Sequence, residues 1–215
     1  MYLPLFFKSE TLNVLIIGGG QVAARKAENL LRLGCRITLI APEFVSDIEA
    51  LRSHPTLILL NRKYQTCDSA GYNLIIAATD NRSLNRMVFE EAVSRGTPVN
   101  VVDDPELCTV IFPAVWREGP LEVAVGTGGK APFLAAAVRD LAQERLSGLG
   151  RWVEIGTRFR WIVKQEIEDS TKRDELLKRF VKIVPSDYYG PAPQNESLDE
   201  WLNWMNNIKS DYDHE

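Results

Sequence analysis

Short apolar runs alternate with amphipathic stretches through the first hundred residues of the chain. Residues 12–17 and 73–78 are apolar runs of strand length, and the second is typical of a strand covered on both faces. Helical periodicity follows them, over 21–33 and 84–93. This strand–helix order predicts a parallel α/β sheet. Further strands are predicted at 36–40, 56–60 and 98–102.

The pattern changes after residue 104. Strand-like runs at 110–116 and 121–125 are separated by a Gly-Pro turn, which predicts a hairpin. Pro132 is expected to open a helix that ends near residue 147. Helical periodicity continues over 151–182. A loop that contains Pro185 and a last amphipathic helix at 198–208 follow, so a mixed and then helical region is expected after the sheet.

Composition narrows the class of protein. The 215 residues are 45% hydrophobic and 25% charged, which is typical of a globular chain, and the net charge of −4 argues against nucleic acid as a partner. The three cysteines form no CxxC pair and suit a reducing compartment. No apolar stretch approaches the roughly 20 residues of a membrane helix. The sequence thus indicates a soluble, cytoplasmic protein without a membrane partner.

A glycine-rich turn lies between the first strand and the first helix. Gly18, Gly20 and Ala23 form a GxGxxA pattern, in which the glycines permit a tight turn and close approach of a pyrophosphate, and the alanine permits close helix–strand packing. The pattern favours a dinucleotide site, although a glycine turn without a ligand stays open. Ala41 replaces the usual acidic residue after the second strand, so Glu43 is the candidate for the ribose, which favours NAD over NADP.

Catalytic candidates are few because histidine is scarce. His54 lies in a predicted turn and His214 in an acidic tail, so neither a histidine-based triad nor a histidine metal site has candidates. Asp103 ends the strand at 98–102, and ligands of open α/β sheets bind outside the carboxyl ends of strands. Asp103 is therefore the candidate general base. Thr79 and Asp80 end another strand, and Asp80 is expected to cap the next helix.

Six motifs occur in order along residues 1–147: VLIIGGGQVAARK, LIAPE, AATDNRSLN, VNVVDDP, FPA and GTGGKAP. Together they resemble the precorrin-2 dehydrogenases, including the N-terminal module of siroheme synthase. The resemblance implies NAD-dependent oxidation of precorrin-2 to sirohydrochlorin in sirohaem biosynthesis. Some members of the family also insert Fe²⁺ into the product, a ferrochelatase (lyase) activity. The sequence leaves this second activity open, and it shows no cluster of metal ligands.

The resemblance also implies roles for individual residues. Asp103 matches the aspartate expected to remove a proton from the macrocycle while the nicotinamide accepts a hydride. Arg25, Lys26, Thr127 and Lys130 are weaker candidates for holding the polycarboxylate substrate. The implied cofactor contacts are Gly18, Gly20, Gln21, Val22, Pro42 and Glu43, with Thr79 and Val102 as weaker candidates near the nicotinamide.

The same resemblance gives each region of the chain a function. We expect an NAD-binding domain with a Rossmann-like parallel sheet over 1–109, a small α+β dimerisation region over 110–148 and a helical C-terminal domain over 149–215. A homodimer is expected because relatives dimerise through the second region. One alternative stays open: an NAD-binding regulatory module without catalysis would show a similar sheet and glycine turn. Such a module would have no need for the VNVVDDP and GTGGKAP motifs.

Overall fold

A computed structural model describes residues 1–184 and 190–210 of the chain. Pro185 and His214, discussed above as loop and tail residues, lie outside these described residues. No helix within the two described ranges is both long and apolar enough to cross a membrane.

The chain divides into two compact units. The sheet unit consists of Met1–Phe112 and Gly128–Lys130, and the helical unit consists of Pro113–Thr127 and Ala131–Glu215. The dimerisation region and the C-terminal helical domain expected from the sequence therefore both fall mostly within the helical unit.

Five parallel strands form the centre of the sheet unit, in the order β3-β2-β1-β4-β5. Ile16 of β1 pairs with Leu39 of β2 on one side and with Ile76 of β4 on the other, so the strand order reverses beside β1. This arrangement confirms the predicted Rossmann-like sheet. The strands are β1 (Asn13–Ile17), β2 (Arg36–Ala41), β3 (Leu57–Asn61), β4 (Leu74–Ala77) and β5 (Val99–Val101), and the helices are α1 (Gln21–Arg32), α2 (Ser46–Ala50) and α3 (Arg82–Ser94).

Both faces of this sheet are buried, because successive side chains of a strand point to opposite faces. One core cluster contains Val14 and Ile16 of β1 together with Ala27 of α1. The other contains Leu15 of β1 and Val88 of α3. A strand covered on both sides has no polar face, which is why the strand segments read as continuous apolar runs. The short helix α2, which the sequence did not predict, adds Ile48 to the first cluster.

The strand predicted at 110–116 starts later than expected. The segment before it folds back along β5: Thr109 N and Val110 N both donate to the carbonyl of Val99, and Asn100 Nδ2 donates to the carbonyl of Val110 at 3.0 Å. Thr109 Oγ1 accepts from Val99 N at 2.8 Å. Residues 109 and 110 are thus engaged with the edge of β5, so the predicted boundary was wrong and the first hairpin strand, β6, spans Ala114–Glu118.

In the part of the helical unit that the structure describes, there are an antiparallel hairpin and four helices. Strand β7 (Leu121–Val125) pairs with β6, and α4 (Pro132–Leu146) packs on both strands. Three more helices, α5 (Gly150–Glu166), α6 (Ser170–Val181) and α7 (Leu198–Ser210), enclose a core of aromatic rings. Four of these rings contact one another in a row, with neighbouring ring centroids 5.1 to 5.9 Å apart, in the order Trp152, Phe180, Phe159 and Trp201.

A carboxylate fixes the turn between α4 and α5. The two oxygens of Glu118, at the end of β6, accept from Gly148 N and Gly150 N at 2.9 Å. These backbone donors hold the pKa of the Glu118 carboxyl below its usual range. A Cβ on Gly150 would lie 2.3 Å from the carbonyl oxygen of Glu118, so only glycine fits there.

Candidate functional site

A cleft of about 960 Å³ opens at the carboxyl ends of β1, β2 and β4. This is the point where the strand order reverses, and open α/β sheets bind their ligands there. The structure brings the predicted cofactor residues together at this cleft, with the exception of Val102. Those that line it are Gly18, Gly20, Gln21, Val22, Pro42, Glu43 and Thr79.

Two glycines of the turn after β1 are required by close packing. Gly18 has a φ of 130°, and a Cβ on it would lie 2.2 Å from the carbonyl oxygen of Ala78. A Cβ on Gly19 would lie 1.9 Å from the carbonyl oxygen of Glu43. The glycine turn is therefore packed directly against the loops that follow β2 and β4. Sequence reasoning passed over Gly19, although the run of three glycines was a signal for it.

Gly20 has the opposite environment. It lies at the N-terminal cap of α1 with an extended backbone and no side-chain cap, and a Cβ on it would meet nothing within 4 Å. The N–H groups in the first turn of an α-helix have no acceptor within the helix and favour an anion. Free space beside Gly20 and unused donors at the start of α1 fit the pyrophosphate of a dinucleotide.

The end of β2 shows how the usual acidic position is filled. Ala41 is buried, and its Cβ lies 2.9 Å from the place where a Cβ on Gly19 would be. A small residue is therefore compatible with the close approach of the glycine turn. Glu43, two residues further on, is exposed and lines the cleft.

Two cleft residues come from the segment after β3, where the sequence has no motif. Lys63 and Tyr64 both line the cleft. The Tyr64 hydroxyl donates to Glu91 Oε2 at 3.0 Å, and Ser69 donates to the other oxygen of the same carboxylate. Burial raises the pKa of Tyr64 to about 12, so its hydroxyl stays protonated at neutral pH. The hydrogen bond to Glu91 thus positions Tyr64, as a neutral side chain, in the cleft wall.

The carboxylate of Glu91 is itself held ionised. Burial acts to raise its pKa, but hydrogen bonds from Ser69, the Cys67 backbone and Tyr64, together with the charge of Arg95, lower the pKa on balance. Arg95 Nη2 lies 3.4 Å from Glu91 Oε1.

Asp103 lies on the loop after β5 and is not among the residues that line the cleft. It is exposed and has a φ of 59°, a left-handed conformation that aspartate tolerates better than most residues. The thiol of Cys108 contacts the backbone of this loop. Its sulfur accepts from Val101 N at 3.3 Å and lies within donor distance of the carbonyls of Val101, at 3.2 Å, and Asp104, at 3.3 Å. Val102 is half-buried against the core, and its N–H donates to the carbonyl of Ala77.

The candidates for holding the substrate lie outside the cleft lining. Arg25 and Lys130 are exposed. Lys26 Nζ lies 3.8 Å from the ring centre of Phe112, and burial, followed by the charge of Arg25, lowers the pKa of Lys26. In the helical unit, Thr127 Oγ1 accepts from Ala131 N at 3.1 Å.

Asp80 lines the cleft, but it does not cap α3 as predicted. Helix α3 starts at Arg82, and the side chain of Asn81 accepts from Leu84 N at 3.0 Å. The prediction was wrong by one position, because the capping residue directly precedes the first helical residue, and Asn81 occupies that position. Across residues 1–184 and 190–210, no group of three or more His, Cys, Asp or Glu side chains is placed to hold a metal ion.

A parallel sheet of this order, with a glycine turn facing an open cleft at the reversal point, defines the class of dinucleotide-binding proteins. Residues 5–114 match the family model described as "Putative NAD(P)-binding". This match covers half of the chain, and the chain belongs to that NAD(P)-binding family.

Two curated relatives of this chain are siroheme synthases. The siroheme synthase of Ectopseudomonas mendocina (strain ymp) is 44% identical over 200 residues, which cover 92% of this chain and 43% of that protein. The siroheme synthase of Psychrobacter cryohalolentis is 37% identical over 196 residues, covering 91% of this chain and 38% of that protein. The chain thus spans less than half the length of these relatives. Their similarity confirms the resemblance predicted from the six motifs.

A solved structure described as SirC, precorrin-2 dehydrogenase, matches with a TM-score of 0.72 and 22% identity. The match covers 98% of this chain and 100% of that one. At this identity the likeness concerns the fold, and it agrees with the architecture described above.

Proposed function

We propose that this chain oxidises precorrin-2 to sirohydrochlorin with NAD⁺, as a step of sirohaem biosynthesis. The observation that carries the proposal is a cleft at the glycine turn together with Asp103, which lies on the loop after β5. Strand β5 pairs with β4, and the end of β4 lines that cleft. The names of the relatives, siroheme synthase and precorrin-2 dehydrogenase, support the same reaction.

The cofactor residues have separate proposed tasks. The first-turn N–H groups of α1, at Gln21 and Val22, hold the pyrophosphate, and Gly20 leaves space for it. Glu43 accepts from the adenosine ribose, with Pro42 beside it. When bound, NAD⁺ supplies the hydride acceptor. The remaining proposed contacts are Gly18, Thr79 and Val102.

Asp103 is the proposed general base. An ionised carboxylate beside a cofactor cleft can take a proton from a carbon or nitrogen of the macrocycle. Cys108 forms hydrogen bonds with the backbone of this loop, and burial raises the pKa of that thiol, so it stays protonated and can donate to the carbonyl of Val101 or of Asp104. The base therefore stands on a defined backbone position.

The test is an anaerobic assay of the full chain with precorrin-2, with and without NAD⁺, followed by absorbance. Asp103→Asn keeps the shape and tolerates the same backbone conformation but removes the base, so kcat should fall by about 100-fold or more with the Kd for NAD⁺ unchanged. Asp104→Asn, on the same loop, is the control and should retain most of the activity. NAD⁺ binding without turnover by the unaltered chain would contradict the proposal and favour the regulatory module.

The same preparation tests insertion of Fe²⁺, which we propose as a second substrate on the basis of the resemblance. In that reaction Asp103 would help to remove the pyrrole protons. Sirohydrochlorin loss on adding Fe²⁺ should be faster with the chain than without it, and slower again with Asp103→Asn. Equal rates with and without the chain assign it the dehydrogenase reaction alone.

We propose that α4 forms a homodimer contact. Leu134, Val138 and Leu141 lie one helical turn apart along one face and are 50%, 42% and 56% exposed, and the neighbouring Phe133 is 80% exposed. A contiguous apolar face of this kind is typical of a protein interface. Val138→Glu should shift the sedimentation coefficient from that of a dimer to that of a monomer. If the unaltered chain has the sedimentation coefficient of a monomer, the proposal is contradicted.

Four side chains are proposed to bind the substrate. Arg25, Lys26, Thr127 and Lys130 remain the proposed contacts for the carboxylates of precorrin-2, so the KM for precorrin-2 should rise with ionic strength. A KM that does not change with salt would contradict this.

We place the reaction in the cytoplasm because the cysteines are free thiols, which suits a reducing compartment.

A further inference from the structure

A buried side-chain amide lies beneath the cleft. Asn85 of α3 is 6% exposed. Both ends of its amide bind one residue: Asn85 Nδ2 donates to the carbonyl of Thr79 at 2.8 Å, and Thr79 Oγ1 donates to Asn85 Oδ1 at 2.7 Å. The orientation of the amide is unambiguous because a carbonyl can only accept, so the NH₂ group must face it. A buried amide whose two polar ends both form hydrogen bonds with one residue strongly restricts the position of that residue.

The neighbour is a cleft residue. Thr79 follows β4 and lines the cleft, and the carbonyl just before it, on Ala78, is the one that approaches Gly18. Asn85 therefore holds a loop that is packed against the glycine turn. The sequence placed Thr79 among the weaker candidates and did not single out Asn85, although both belong to the AATDNRSLN motif.

The hydrogen bonds decide what the Thr79 hydroxyl can do. A threonine hydroxyl has one proton and two lone pairs. The proton is directed to Asn85 Oδ1, since the other nearby carbonyl, on Asn81, is farther away at 3.3 Å. One lone pair accepts from Asn81 N at 3.2 Å. What remains for a ligand in the cleft is a single acceptor position.

We propose that Asn85 is a positioning residue that fixes Thr79 as a hydrogen-bond acceptor for a donor group of NAD, namely a ribose hydroxyl or the carboxamide N–H. An ionised phosphate oxygen only accepts, so Thr79 does not hold the pyrophosphate. The inference rests on the proposed contact between Thr79 and the cofactor, and it assigns that contact a direction and a source of rigidity.

The experiment titrates NAD⁺ into the full chain by calorimetry. Thr79→Val removes the acceptor while keeping the shape, and Asn85→Ala removes the group that orients it. Each should raise the Kd for NAD⁺ about tenfold, which corresponds to about 1.4 kcal/mol. The double variant should show no further rise, because residues that act through one contact are not additive.

Val88→Ala is the matched control. Val88 is fully buried on the same helix, one turn beyond Asn85, and forms none of the hydrogen bonds to Thr79. This variant should lower the Tm, as loss of packing does, and leave the Kd for NAD⁺ unchanged. A rise in Kd equal to that of Asn85→Ala would show that any loosening of α3 weakens binding, and would overturn the positioning role.

Asn85→Asp supplies a readout that a purely structural role would not change. An ionised carboxylate can accept from the Thr79 hydroxyl but repels the Thr79 carbonyl, whereas the protonated acid can donate to it. The Kd of this variant should therefore fall as the pH is lowered from about 8 to about 5, relative to the unaltered chain. A constant ratio of the two Kd values across this range contradicts the inference.

The outcomes separate this inference from the proposed function. An unchanged Kd in Thr79→Val removes the cofactor contact and the inference with it, while the Asp103 assay still decides the reaction. A raised Kd in Thr79→Val with an unchanged Kd in Asn85→Ala removes only the role of Asn85. Additive effects in the double variant do the same.

Discussion

The sheet unit and the helical unit bury their cores with different side chains. In the sheet unit, the strands contribute Val, Leu and Ile on both faces, and the helices contribute small residues such as Ala23, Ala27 and Ala92. In the helical unit, the core is built from aromatic rings, with Trp201 fully buried among them. The first core depends on repeated strand pairing, and the second depends on a few large side chains.

This difference shows where function is built. The apolar strand core of the sheet unit carries no candidate functional residue. Those residues lie at the carboxyl ends of the strands, where loops meet at the reversal of strand order. There the packing is so close that Gly18 and Gly19 admit no Cβ, while Gly20 leaves open space. None of the residues in the aromatic core of the helical unit lines the cleft, so disruption of that core should not alter the cleft.

The largest expected effect breaks the helical unit alone. Trp201 is 0% exposed, and its Nε1 donates to the carbonyl of Asn195 at 3.1 Å. Trp201→Ala should destabilise this unit by about 3–5 kcal/mol, because a large cavity replaces the ring. Denaturant unfolding followed by far-UV circular dichroism should show an early transition, and the Kd for NAD⁺ measured below that transition should be unchanged. A parallel loss of NAD⁺ binding would contradict the independence of the two cores.

The next effect separates two adjacent glycines of the sheet unit. Gly19→Ala places a Cβ against the carbonyl of Glu43, so it should lower the Tm and abolish NAD⁺ binding together. A Cβ at position 20 meets nothing within 4 Å, so Gly20→Ala should leave the Tm unchanged. It should raise the Kd for NAD⁺ by about tenfold, since the methyl group occupies the place proposed for the pyrophosphate. Equal Tm losses in the two variants would contradict this distinction.

The smallest effect is a pH dependence in the helical unit. The pKa of Glu118 is lowered by the Gly148 and Gly150 N–H groups, so its stabilisation is present above the unfolded pKa of about 4.3 and is lost as the pH falls through the folded pKa. Glu118→Gln should therefore lower the Tm at pH 7, and the difference from the unaltered chain should shrink below about pH 4. Thermal melts from pH 7 to pH 3 measure this, and a difference that stays constant would contradict it.

The sequence by itself determined the parallel sheet, the glycine turn and most of the residues that line the cleft. These features are local: apolar runs bounded by turns predict strands, and Gly18 and Gly20 stand directly between a strand and a helix. The ends of parallel strands meet at one edge of the sheet, so Glu43 and Thr79 could be assigned to the same cleft before any distance was known.

Only the tertiary structure decided the rest, because those features depend on contacts between residues of different elements and loops. Tyr64 reaches the cleft through a hydrogen bond to Glu91, 27 positions further along the chain. Residue 110 belongs to the edge of β5 instead of the hairpin, since its backbone meets that of Val99. Asn85 matters through a hydroxyl that it orients across a helix boundary. Apolar periodicity does not predict such pairings, because they form only when the sheet and its helices pack against each other.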